Sequence, residues 1–60
     1  MAHSHAAITD QAMGLELQAI ELESELEWAE AQGRLDDVRQ LRRQLVNTLN
    51  ELASVADRVA

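Results

Sequence analysis

Two histidines and a run of glutamates are the residues whose types could bind a metal ion or move protons. A third-position histidine beside a free amine can hold Cu(II) or Ni(II) in a square-planar site, which His3 could form if Met1 is retained. Methionine before alanine is normally removed, and that removal spoils the register. Di-iron helical bundles instead place Glu-x-x-His on a helix, and no histidine follows His5. The sequence therefore predicts no metal site and no cofactor.

The chain also has few side chains suited to catalysis. It contains no cysteine, tyrosine or phenylalanine, and a single tryptophan. No nucleophile stands in a pattern with a base and an orienting group, and no glycine-rich phosphate loop is present in the sequence. We therefore expect a protein that is not an enzyme.

Length and composition favour a small helical protein that needs a partner. Sixty residues, 47% of them apolar and only two of them glycine, are typical of nearly continuous helix. A chain this short buries only about 60% of the surface that it exposes when unfolded. A monomer is therefore only marginally stable unless a cross-link or a partner protein stabilises it. Because the chain has no cysteine, we expect oligomerisation or docking to supply the extra stability.

Charge and hydropathy narrow the class of partner and the location. The formal net charge of −6 disfavours a general nucleic-acid binder, which would present a basic surface to phosphates. No apolar run approaches the roughly 18 residues of a membrane-spanning helix, and no basic leader opens the sequence. We expect a cytoplasmic protein with no membrane partner.

Capping residues and glycines divide the chain into two helices. Thr9 and Asp10 are candidate N-caps, Gly33 is a candidate left-handed C-cap, and Asp36 and Asp37 suit the start of a second helix. The prediction is a flexible head at 1–7 and a helical hairpin at 8–60, with a helix over about 9–32, a turn at 33–35 and a helix over about 36–59.

Apolar spacing sharpens this into an antiparallel hairpin of the coiled-coil type. In both halves of the chain, mostly apolar residues recur at alternating steps of four and three, which is the spacing of a heptad seam. A fold at Gly33 brings the two seams into register without a slip, so that small residues of one helix face larger ones of the other. The seven predicted layers are Ala29/Val38, Leu26/Leu41, Leu22/Leu45, Ala19/Thr48, Leu15/Leu52, Ala12/Val55 and Ile8/Val59.

Each helix carries more apolar surface than one seam uses. Single exposed apolar residues are normal on protein surfaces, so scattered exposure is one interpretation. The other is a partner interface, most simply with a second copy in an antiparallel four-helix bundle. Trp28 either folds over the turn against Leu35 and arginine stems or serves as an interface anchor. The candidate interface residues are Met13, Leu17, Ile20, Trp28, Leu35, Leu49 and Ala56.

Charges are divided unequally between the helices. The first helix carries six glutamates from Glu16 to Glu30 and no base, which predicts either a solvated face or a surface for a basic partner. The hairpin register suggests that Glu25 lies opposite Arg42. All five bases are arginines in the second half, and four near the turn are candidate contacts with nucleic acid or an acidic partner: Arg34, Arg39, Arg42 and Arg43.

Residues 22–45 resemble the UVR motif, a helical hairpin of excision-repair proteins. The positions that carry the resemblance are Leu22-Glu23-x-Glu25-Leu26, Ala29, Leu35-Asp36-Asp37-Val38, Leu41-Arg42 and Leu45. The size and shape are also similar to Rop-like hairpin dimers, which are four-helix bundles. These resemblances imply pairing between hairpins.

The sequence therefore predicts a non-enzymatic interaction module or small adaptor that self-associates or docks on a larger helical protein. The alternative is a small regulator that acts on nucleic acid or its machinery through the arginine cluster or the acidic helix.

Overall fold

The protein consists of two α-helices packed against each other. The computed structural model describes the backbone of residues 3–59 and the side chains of residues 10–58. Helix α1 spans His3–Ala31 and helix α2 spans Leu35–Val59, with no strand in the described backbone. The predicted Ile8/Val59 layer and the histidine site at His3 lie outside the described side chains.

Helix α1 begins earlier than the sequence analysis predicted. Its backbone is helical from His3, so residues 3–7, which were predicted to form a flexible head, belong to the helix. Residues 3–8 contain neither glycine nor proline, so nothing there requires the helix to stop, and the candidate caps at Thr9 and Asp10 do not begin it. The other boundaries fall within one residue of the predicted ones.

The turn between the helices is a Schellman motif centred on Gly33. The amide of Arg34 donates to the carbonyl of Ala29 at 3.0 Å, and the amide of Gly33 donates to that of Glu30 at 3.1 Å. Gly33 has a φ of 69°, the left-handed conformation that this motif requires. The carbonyl of Arg34 then accepts the first hydrogen bond of α2, from Val38 at 3.0 Å, so α2 starts immediately after the motif.

The buried residues are those of the two predicted heptad seams. Six apolar side chains and Thr48 are less than one tenth exposed, and the remaining described seam positions are intermediate. No buried side-chain nitrogen or oxygen of the described residues lacks a hydrogen-bond partner, so Thr48 sits in the core without an unsatisfied hydroxyl. The hairpin and its core were therefore predicted correctly from Ala12 to Val55.

The core consists only of the side chains that lie between the two helices, because the described chain has no third element to pack on them. The molecule measures 49 × 14 × 12 Å, and its accessible surface is 4723 Å². A compact monomer of 6.7 kDa would expose about 3,900 Å². The rod therefore exposes more surface than a compact protein of its mass, and among residues 10–58 the large apolar side chains outside the seams remain about half exposed or more.

Candidate interaction site

The side of α1 that faces away from α2 carries a row of exposed apolar residues. Met13, Leu17 and Ile20 are 57%, 59% and 61% exposed. Their steps of four and three place them on one side of the helix, opposite the buried residues Leu15 and Leu22. Ser24, Trp28 and Ala31 continue this side toward the turn. We call the six residues the outer stripe: Met13, Leu17, Ile20, Ser24, Trp28 and Ala31.

Trp28 lies at the end of the outer stripe and is 65% exposed. Leu35, against which it could have folded, is 68% exposed, so both side chains are mostly open to solvent. A shallow depression of about 490 Å³ beside the indole is lined by Ser24, Glu25, Glu27 and Ala31. Trp28 is therefore exposed and not part of the hairpin core.

A second, smaller apolar surface lies on α2. Leu49 is 47% exposed and Ala56 is exposed, as their positions outside the seam require. Val46, which the sequence analysis missed, is 55% exposed. Steps of three, four and three would have revealed it, because they join four residues that we call the α2 patch: Val46, Leu49, Ala53 and Ala56.

A row of glutamates separates the two apolar surfaces. Glu30 contacts Arg42 across the hairpin, so these two residues mark one flank of the helix interface. The heptad register places Glu23 opposite Leu49 and Glu16 opposite Ala56 on the same flank. The outer stripe and the α2 patch therefore form two separate surfaces, and a carboxylate row runs between them.

The structure gives two of the four candidate arginines a carboxylate partner. Arg34 Nη2 lies 2.6 Å from Asp37 Oδ2, and Arg42 Nη2 lies 3.0 Å from Glu30 Oε2. Arg39 and Arg43 are exposed on α2. The four therefore do not form one uncompensated basic cluster, which weakens the nucleic-acid interpretation.

Arg42 pairs with Glu30 and not with Glu25, which corrects the expectation from the register. Glu25 and Arg42 stand at a similar height along the hairpin but on opposite flanks of the seam. Glu25 instead lines a groove of about 370 Å³ near the turn, together with Trp28, Arg34 and Gln44.

The described part of the chain, residues 3–59, offers no metal cluster and no membrane span. No group of three or more acidic or histidine side chains there is arranged to hold a metal ion. Neither helix, over its described residues, has an apolar stretch that could cross a membrane. No protein-family model, curated protein sequence or solved structure matches the chain.

Proposed function

We propose that the protein is a non-enzymatic protein–protein interaction module, a cytoplasmic adaptor or accessory subunit that binds a helical partner or a second copy. The observation that carries the proposal is the outer stripe, because three large apolar side chains on successive turns are more than half exposed. Burying each of them fully would contribute about 1–2 kcal/mol of stabilisation, which would supplement the small core of a two-helix hairpin.

A second copy is one form of partner, and it would complete a dimeric four-helix bundle like that of the Rop-like hairpins that this chain resembles. The α2 patch supports this form, since Val46 and Leu49 extend the apolar surface of α2 beyond the hairpin seam. A larger helical protein is the other form of the same function. The ion pairs of Arg34 and Arg42 favour a protein partner over nucleic acid, because they leave fewer cations for phosphates.

The test compares three chains by sedimentation equilibrium and by capture of native proteins from lysate. They are the natural chain, the Leu17→Gln/Ile20→Gln variant, and Gln44→Ala as a control on the polar flank. We expect the natural chain and the control to self-associate or retain a defined partner, and the double variant to lose that association. A stable monomer at micromolar concentration whose captured proteins are unchanged in the double variant would contradict the proposal.

A further inference from the structure

Glutamates border the outer stripe on both sides. One edge carries Glu16, Glu23, Glu27 and Glu30, the other carries Glu21 and Glu25, and all six are exposed. Between residues 10 and 31 there is no lysine, arginine or histidine. Any helix that covers the stripe must therefore place its own flanking side chains among carboxylates, which makes the charge of that helix decisive.

A second copy fits this surface poorly. If two outer stripes met, each glutamate edge would face a glutamate edge, and like charges across an interface oppose association. The arginines relieve little of this repulsion, because within the described residues only Glu30 among the six edge glutamates has an arginine partner, Arg42. Helix α2 of a second copy offers no net positive charge to the stripe, since its four arginines are balanced by four acidic residues.

Trp28 adds a feature that favours a cation. Its exposed indole has Glu25 and Glu27 beside it around the depression at the end of the stripe. A lysine or arginine placed there would contact the ring face and also be attracted by the two carboxylates. Ser24 and Ala31 are small, so they leave room for such a side chain.

We propose that the outer stripe docks a basic amphipathic helix of another protein. This inference rests on the proposed function and names its partner class. The partner helix spans the 19 residues from Met13 to Ala31, a rise of roughly 27 Å. Its apolar residues pack on Met13, Leu17 and Ile20, its lysines or arginines face the two glutamate edges, and one cation lies against Trp28.

Three synthetic peptides of about 18 residues, each without tryptophan, test the proposal against the full chain. The first is an amphipathic helix with leucine at heptad positions and lysine and arginine on its flanks. The second replaces the basic residues with glutamate, and the third scrambles the first so that its apolar residues lose helical spacing. We expect only the first to bind in titration calorimetry and to shift the Trp28 emission.

Matched variants locate the binding site. Leu17→Gln/Ile20→Gln should weaken binding of the basic peptide by about tenfold or more, as loss of interface anchors does, whereas Asn50→Ala, at an exposed polar position of α2, should leave it unchanged. Leu49→Gln tests the α2 patch as the alternative site. Raising salt from about 0.1 M to about 1 M shortens the Debye length from about 10 Å to about 3 Å and should weaken binding further. Circular dichroism of each variant checks that the hairpin remains folded.

Other outcomes overturn the proposal. Equal binding of the scrambled peptide would show that charge alone attracts the basic peptide. Binding lost in Leu49→Gln but kept in the stripe variant would place the site on α2. If sedimentation shows a dimer that Leu17→Gln/Ile20→Gln dissociates, a second copy occupies the stripe. In that last case the general interaction function would stand while the basic-helix partner would be wrong.

Discussion

Arg42 and Glu30 form an ion pair that joins the two helices, with 3.0 Å between Nη2 of the arginine and Oε2 of the glutamate. Both side chains remain largely exposed, so the pair contributes only a few tenths of a kcal/mol to about 1 kcal/mol. Its position is more informative than its strength. Leu49 and Ala56 lie one and two heptads further from the turn, in the positions equivalent to Arg42. An arginine at either position could pair with the glutamate opposite it.

Leu49→Arg should extend this ion pairing to Glu23. Because the substitution also removes partly buried apolar surface, the suitable comparison is Leu49→Gln. We expect the arginine variant to be more stable than the glutamine variant by about 0.2–1 kcal/mol at low salt, measured by urea denaturation. The difference should disappear when Glu23→Gln is added, and persistence in that background would mean that the register on this flank is wrong.

The two glycines should respond to alanine in opposite directions. Apart from its chain neighbours and the backbone of its own helix, a Cβ at either position meets no atom within 4 Å, so backbone conformation decides the outcome. Gly33→Ala should lower the free energy of unfolding by about 1–2 kcal/mol, because φ is 69° there. Gly14→Ala, inside α1, should raise it by about 1 kcal/mol. Thermal denaturation followed by circular dichroism measures both, and a stabilising Gly33→Ala would contradict the turn geometry.

Leu22 and Leu17 separate the core from the outer stripe. Leu22 is 7% exposed in the seam, so Leu22→Ala should cost about 2–5 kcal/mol, enough to unfold a hairpin of this size. Leu17→Ala should change the stability of the isolated chain by less than about 0.5 kcal/mol. Far-ultraviolet circular dichroism of the two variants decides the matter. Similar losses of helicity would indicate that Leu17 is already buried in solution, as in a stable oligomer.

Charges at the ends of α2 should also act with opposite signs. Asp37 lies in the first turn and pairs with Arg34, so Asp37→Asn should destabilise the protein by about 0.5–1.5 kcal/mol. Asp57 lies near the C-terminal end of the helix dipole, and Asp57→Asn should be neutral or stabilising by a few tenths of a kcal/mol. Both effects should shrink in high salt. Denaturation midpoints at two salt concentrations provide the measurement.

The hairpin was predictable from sequence because its core obeys a simple spacing rule. Buried positions such as Leu15, Leu22 and Val55 recur at steps of three and four, and Gly33 marks the place where the chain reverses. The start of α1 was not predictable in this way. Possible caps at Thr9 and Asp10 compete with continued helix, and no strong helix breaker decides between them.

The flanking contacts were harder to predict than the core. The register determines which residues of the two helices lie at the same height along the hairpin. It does not say on which flank of the seam a given side chain lies, and that depends on its own heptad position. That is why Arg42 was assigned to Glu25 although Glu30 lies on its flank. Val46 was missed for a related reason. The α2 patch to which it belongs is recognised only when the positions outside the seam are examined as a second heptad series.

The tight turn at Gly33 has a consequence for how the chain folds. Pairing Ala29 with Val38 closes a loop of fewer than ten residues, and each later layer adds one step on either side. Loop-closure entropy grows slowly, by about 0.6 kcal/mol for each doubling of length, so the cheapest first contact is the one nearest the turn. Folding should therefore proceed from the turn toward the chain ends, and amide hydrogens near the ends should exchange with solvent first.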